Sequence, residues 1–230
     1  MSVGGTRLTG VGLDSPVARA RATEFACRAL DIAGALVLLV LLAPLLAAIA
    51  LAIKLDSPGR VLFRQRRVGR DQGTFRLNKF RTMHEGAAHD LHRSFVTELI
   101  AGGGEPRRQA DRALFKLVGD DRVTRVGRFL RRSSLDELPQ LWNVMRGEMS
   151  LVGPRPPIAY EVEQYPARAF GRFAVKPGLT GLWQVSGRCE TTFDEMIDLD
   201  LEYVRRRSLS ANVAILVRTI PVVLLGRGAA

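Results

Sequence analysis

Residues 32–53 read IAGALVLLVLLAPLLAAIALAI, an apolar run without a single charge. These 22 residues would make about 33 Å of straight helix, enough for a hydrocarbon core of roughly 30 Å. A cleaved leader would have a shorter apolar region ending in a small-residue processing site. A core helix of this purity would be hard to bury in so small a protein, so the run reads as a membrane segment. Pro44 lies near its centre, where a missing N–H and a ring clash bend or break a helix. Both flanks are basic: Arg19, Arg21 and Arg28 precede the run, and Lys54, Arg60, Arg64, Arg66, Arg67 and Arg70 follow it. Positive flanks prefer the cytoplasmic side, so a helix broken at Pro44 that enters and returns on one face keeps both there. A kinked single span is the alternative, because Asp14, Glu24 and Asp31 dilute the N-terminal charge.

Outward from this run, the chain divides into a polar tail (1–24), the membrane segment (25–56) and a body (57–230) of 230 residues in all. The turn SPG (Ser57–Gly59) closes the membrane segment. RVLFRQRRVGRDQGTFRLNKFRTM (Arg60–Met83) reads as two short strands around a turn at Asp71–Gly73, with alternation through Phe75, Leu77 and Lys79. Residues 84–113 are polar, with a loop at Ala101–Arg108 between two helices. LPQLWNVMRGEM repeats Leu138, Leu141, Trp142, Met145 and Met149 at helical spacing, so an amphipathic helix is expected there, weakened near Gly147. Thr192 and Glu195 form a capping-box pattern before a helix whose apolar face carries Phe193, Met196, Ile197 and Leu201 with Tyr203 or Val204. The last stretch, ANVAILVRTIPVVLLGRGAA, is interrupted by Arg218 and Pro221 and suits an interfacial helix better than a second span. The expected fold is therefore α+β and membrane-associated: a Pro-broken N-terminal helix, a small domain of mainly helices with a short β-hairpin, and interfacial amphipathic helices.

Charge narrows the function. The chain holds 34 Lys+Arg against 23 Asp+Glu, a net +11, which implies a polyanionic neighbour: nucleic acid, an anionic membrane surface or phosphorylated substrates. The basic segments are poor in aromatics, whereas single-strand binders interleave them for stacking. A membrane-anchored nucleic-acid-binding or scaffold protein is the competing reading, and nucleic acid is not expected as a partner. Cys27 and Cys189 cannot build a disulfide framework. His84, His89 and His92 admit a metal reading through the last two, against the simpler one of a solvated helical face. Neither G-x-x-x-x-G-K-[ST] nor G-x-G-x-x-G occurs.

The chemistry concentrates in RRSSLDELPQLWNVMRGEMSLVGPRP, residues 131–156. Ser134 to Glu137 fits S-x-x-E, a helix-start signature, with either Ser134 or Asp136 as cap. Asp136 and Glu137 would then sit in a first helical turn, where the dipole, Arg131 and Arg132 favour ionised carboxylates. Ionised acids suit a carboxylate nucleophile or a magnesium ligand. As neighbours on a helix they diverge by about 100°, so they can hold separate jobs. Arg81, Arg125, Arg128, Arg131, Arg155 and Arg188 lie near breaks or turns, and guanidiniums match phosphate oxygens bidentately. Arg155 is held between Pro154 and Pro156, and KPGLTG (Lys176–Gly181) adds a basic residue at a permissive turn.

Taken together, KFRTM (79–83), RVGRFLRRSSLDELPQLWNVMRGEMSLVGPRP (125–156), KPGLTGLWQVSGR (176–188) and RTIPVVLLGRG (218–228) resemble the bacterial sugar transferases, the monotopic phosphoglycosyl transferases. The resemblance covers roughly residues 25–228. It implies transfer of a sugar-1-phosphate from a UDP-sugar to polyprenyl (undecaprenyl) phosphate with release of UMP, at the start of exopolysaccharide, O-antigen or other glycoconjugate assembly. It implies Asp136 as a nucleophile forming a phosphosugar–enzyme intermediate, Glu137 as the residue associated with Mg2+, and Arg131 and Arg155 as phosphate or nucleotide ligands, with Lys79 matching the family's functional pattern; Arg81 and Arg188 join the phosphate-binding candidates on residue type and position alone. It further implies a re-entrant helix broken at Pro44, contact with membrane lipids, and a bacterial inner-membrane location with the catalytic domain on the cytoplasmic face. Ala43 departs from the serine often found before that proline in the family. GLWQVSGR looks more like the hexose-type members, and pairing with a second copy is left open.

Overall fold

The computed structural model describes residues 16–86, 121–186 and 192–224. Helix α1 (Pro16–Leu41) and helix α2 (Ala43–Asp56) are separated at Leu42, and their axes bend by 62°. Pro44 is the cause: it has no N–H for the Val40 carbonyl one turn back, while Leu42 and Leu46 on either side keep their bonds to Leu38 and Leu42. No single helix among the described residues is long and apolar enough to cross a membrane, but this bent pair has the length and composition together. Phe25, Leu36, Val40, Leu41, Leu51 and Leu55 all stand exposed on it.

Strand β1 (Leu62–Val68) and strand β2 (Thr74–Phe80) form the expected antiparallel hairpin, in register from Leu62 opposite Phe80 to Val68 opposite Thr74. Its turn places Asp71 and Gln72 at positive φ, a conformation aspartate tolerates well. Helix α3 (Arg125–Ser133) starts at Thr124, whose hydroxyl accepts from Gly127 N at 3.0 Å. Helix α4 (Gln140–Arg146) is shorter than the spacing suggests because Gly147, at φ 80°, terminates it.

A second sheet was not anticipated. Strand β3 (Ser150–Val152) lies parallel to strand β4 (Gly178–Thr180). The backbones approach so closely that a β-carbon on Gly178 would fall 2.0 Å from Gly153 N, which leaves room only for glycine. Between the two strands come helix α5 (Ala159–Val162), which packs against β1, and a 3-10 stretch (Ala167–Ala174); helix α6 (Leu182–Ser186) follows β4. Helix α7 (Phe193–Arg206) opens with the expected capping box: Thr192 Oγ1 accepts from Glu195 N at 3.2 Å, and Glu195 Oε2 accepts from Thr192 N at 2.7 Å. Helix α8 (Leu209–Leu224) carries Pro221 inside it and exposes Val213, Val217, Ile220 and Val223. The architecture is thus helix-rich α+β with two small sheets.

The core runs through the middle of the molecule. Ala35 of α1 meets Leu77, Leu141, Val144, Leu151, Tyr203 and Ile215 in one buried cluster, so the apolar first helix and the body share a core. Two polar ties fix that junction, and a third braces the body beneath it. Asp31 accepts from Ser150 Oγ at 2.9 Å and Leu151 N at 2.8 Å. Arg28 donates to the carbonyls of Val144 and Met145 at 2.6 and 2.8 Å, closing the C-terminal end of α4. Asn143, fully buried, accepts from Asn78 N and donates to the Arg76 carbonyl and Glu148, which sews α4 to β2.

Candidate functional site

The Asp–Glu pair does not sit in the first turn of an α-helix. Ser134, at φ 56°, ends α3 in the left-handed conformation and makes no side-chain cap. Leu135–Glu137 form a 3-10 turn, and α4 begins only at Gln140, after Pro139. The S-x-x-E pattern is therefore a junction between two helices. A 3-10 turn advances each residue by about 120°, so the two acids diverge as expected. Asp136 points inward and is 5% exposed. Glu137 faces Lys79 of β2, with Oε1 accepting from Nζ at 2.8 Å.

Glu137 and Lys79 stand on the wall of a cleft of about 740 Å³, together with Ser134, Gln140, Arg67, Arg155, Thr180 and Gln184. Asp136 lies behind that wall, within the same turn. The opposite wall is apolar: Gly34, Val37, Leu38 and Leu42 from α1 and Val213, Leu216, Val217, Ile220 and Val223 from α8. Helix α8 is held there by Tyr203, whose hydroxyl donates to the Val152 carbonyl and the buried Asn212 Oδ1, each at 2.9 Å, one hydrogen serving both. Thr180 and Thr219, both in the lining, share a hydrogen bond of 2.9 Å.

Behind the polar wall lies an ionic network. Arg155 Nη1 donates to Glu161 Oε2 at 3.1 Å, and Glu161 is wholly buried. Arg67, 3.9 Å from the other Glu161 oxygen, donates to the Pro156 carbonyl at 3.0 Å. Arg172 donates to the Arg155 carbonyl at 2.9 Å, to Tyr165 Oη at 2.7 Å and to Asp200 Oδ2 at 2.6 Å. The Pro-Arg-Pro turn is thereby gripped through its side chain and its main chain at once. Burial alone would push the Glu161 carboxyl up, but the Arg155 and Arg67 guanidiniums and the Arg155 hydrogen bond outweigh it and hold it below the usual glutamate range. Burial brings Arg67 down to about 10, helped by the Arg155 charge, so it stays cationic at neutral pH. Burial pushes Asp200 up to about 6 against the pull of Arg172, which leaves that pair ionised at neutral pH.

Of the residues singled out from the sequence, the fold brings Lys79, Glu137 and Arg155 to the cleft wall, with Asp136 directly behind it. Arg81 goes elsewhere. It is buried and donates to the carbonyls of Pro58 and Ser57 at 2.6 and 2.7 Å and to Ser57 Oγ at 2.9 Å, bracing the turn after α2. Arg131 donates through Nε to Thr82 Oγ1 at 3.2 Å and is not part of the wall. Arg188, His89 and His92 lie outside the described residues. Arg67, Glu161, Arg172 and Asp200 escaped the sequence reading, since residues so scattered share no spacing. Among the described residues no group of three or more His, Cys, Asp or Glu could hold a metal ion alone. The available carboxylate is Glu137, a hard oxygen donor of the kind that shares a magnesium ion with substrate phosphates and water.

Residues 22–226 match the family model described as "Bacterial sugar transferase". Over 207 residues the chain is 44% identical to the "UDP-galactose-lipid carrier transferase" of Erwinia amylovora, an overlap of 90% of this chain but 42% of that protein. It is 42% identical over 201 residues to "Exopolysaccharide production protein ExoY" of Rhizobium meliloti, covering 87% of this chain and 86% of that one. The "UDP-glucose:undecaprenyl-phosphate glucose-1-phosphate transferase" of Caulobacter vibrioides is 44% identical over 211 residues, with 88% and 71% covered. The chain thus spans less than half the length of the Erwinia relative and most of the length of the Rhizobium one.

Proposed function

Because the chain belongs to the bacterial sugar transferase family, we propose that it transfers a sugar-1-phosphate from a UDP-sugar to polyprenyl phosphate and releases UMP, as the first step of exopolysaccharide or related glycoconjugate assembly. The observation that carries this reading is the two-sided cleft, apolar along α1 and α8 and cationic at Lys79, Arg67 and Arg155. An isoprenoid chain fits the first wall and phosphates fit the second. Seated in a bilayer, the bent pair α1–α2 enters and returns on one face, so the cleft opens at headgroup depth on the cytoplasmic side of the bacterial inner membrane.

Two displacements at phosphorus make up the reaction. A carboxylate oxygen of Asp136 attacks the sugar-bearing phosphorus of the donor; the bond from that phosphorus to the bridging oxygen breaks, and UMP departs with the electron pair. An oxygen of polyprenyl phosphate then attacks the same phosphorus, and the acyl-phosphate bond breaks to return the carboxylate. A buried oxygen sheds its water before it reacts, which favours the first attack. Arg155, fixed by Glu161 and Arg172, and Lys79, fixed by Glu137, offset the charge that builds on the phosphoryl oxygens. Glu137 would hold a magnesium ion together with diphosphate oxygens, supplying further neutralisation of the leaving UMP. One diphosphate replaces another, so no nucleotide triphosphate site is called for.

Incubating the full chain in lipid vesicles with polyprenyl phosphate and a panel of radiolabelled UDP-sugars tests the proposal. Label moving into organic-extractable lipid with stoichiometric UMP is the expected result. No transfer from any UDP-hexose or UDP-N-acetylhexosamine would refute it.

A further inference from the structure

Away from the cleft, cations gather where α1 meets the body. Arg28 and Lys176 converge on Gly147: a β-carbon there would lie 3.4 Å from Arg28 Nη2 and 3.5 Å from Lys176 Nζ, so the two side chains are within about 7 Å of each other. Arg28 is tied to the Val144 and Met145 carbonyls and therefore stays in place. Lys176 is half-buried, and among the described residues no hydrogen bond or ion pair holds its ammonium. Burial, then the Arg28 charge, pull its pKa down, as expected for a cation short of an anion. The surrounding charges are Arg70, Glu24 and Asp31, with Arg207 acting on the same two acids. Glu24 is already paired with Arg70 at 2.5 Å, and Asp31 is engaged by Ser150 and Leu151. Asp71 also lies 3.4 Å from Arg70 Nε, so Arg28, Arg70, Lys176 and Arg207 against Glu24, Asp31 and Asp71 leave this region one charge positive.

Its depth is equally particular. Arg28 stands four residues before the apolar run that starts at Ile32, and Arg207 two residues before the apolar helix that starts at Leu209. Arg28 and Arg207 thus lie where the lipid-compatible stretch of α1 and the whole of α8 begin.

We propose that Arg28 and Lys176, over Gly147, form a binding site for the phosphodiester headgroup of an anionic membrane phospholipid, distinct from the substrate cleft. A phosphate accepting N–H···O contacts of about 2.8 Å on both sides bridges two cations at this separation. The proposal rests on the membrane seating given under Proposed function. Such a lipid completes the coordination of Lys176 and holds the body at a fixed height against α1.

The test uses the full chain in vesicles of phosphatidylcholine with and without phosphatidylglycerol, floated on a density gradient, then extracted in mild detergent and assayed for retained lipid. Wild type and Lys176→Gln should both float, and wild type should retain phosphatidylglycerol over phosphatidylcholine. Lys176→Gln should retain about fivefold less phosphatidylglycerol, the scale of one lysine at an anionic surface. Lys176→Arg should restore retention, and Arg64→Gln, which removes an exposed charge on β1, should not alter it. Equal retention by wild type and Lys176→Gln overturns the site, as does an equal loss in Arg64→Gln. Displacement of the lipid by equimolar inorganic phosphate overturns the lipid as occupant. Failure of every variant to float sinks the membrane seating instead, and is distinguishable from all of these.

Discussion

Single atoms decide the chemistry first. Asp136 is buried in a three-residue turn with its neighbour Glu137 turned to Lys79, so the two acids are not interchangeable. Asp136→Asn should lower transfer at least about a thousandfold, because an amide cannot form the phosphoryl bond. Membrane insertion should be unchanged, and donor alone should no longer release one equivalent of UMP. Full activity in that variant removes the nucleophile. Glu161 gives a pH-dependent prediction. Its carboxyl is held below the usual glutamate range by Arg155 and Arg67 against burial, so its stabilising contribution is complete above the unfolded pKa. It is lost as pH falls below about 4.5. Glu161→Gln leaves the buried Arg67 and the partly exposed Arg155 without their shared carboxylate and should cost about 3 kcal/mol at neutral pH. The loss should shrink on acidification below that pH, followed by tryptophan fluorescence in denaturant; a pH-independent loss would contradict the assignment. Of this network only Arg155, between its two prolines, was legible in the sequence; residues 67, 161, 172 and 200 share no periodicity with it, and only the fold gathers them.

At the scale of elements, local rules were readable wherever they act within a few residues. The Asp71–Gly73 turn, the Thr192–Glu195 box and the break beside Pro44 all follow from short-range sterics and hydrogen bonding. The rules failed where one pattern serves two purposes. Ser134 sits in an N-cap pattern, yet it ends the preceding helix, because α3 runs up to Ser133 and the chain must reverse there. Strands β3 and β4, three residues each, are too short to show a period of two. Arg81, a phosphate-ligand candidate by type, donates in the fold to the Ser57 and Pro58 carbonyls just after α2, partners that no short-range pattern announces. The break itself is testable. Pro44→Leu restores the N–H and removes a ring clash that costs about 3 kcal/mol in a straight helix. The 62° bend should relax, and cysteines placed at positions 20 and 60 should then label from opposite sides of the bilayer. Continued labelling from one side would show that packing of Ala35, Ile49 and Ile53 alone holds the bend.

Across the whole molecule, the cleft depends on parts distant in the chain: α1 and α8 together supply its apolar wall, and the body between them the charged one. Val217→Trp, which fills the apolar side, should leave the UMP burst from donor alone intact while slowing transfer to polyprenyl phosphate about tenfold or more. An equal loss in both half-reactions would mean that the groove does not receive the acceptor. The general plan, an apolar bent helix pair followed by a basic α+β body, was visible in composition and in the charge-free run. The joining of the two ends was not, since nothing in residues 30–42 announces residues 213–223. Their meeting has a consequence for biosynthesis. Helix α1 leaves the ribosome before the Asp–Glu turn and the Pro-Arg-Pro clamp, and α8 after both. A chain halted between them therefore has no complete apolar lining, and the cavity takes shape only when the last helix docks against the first.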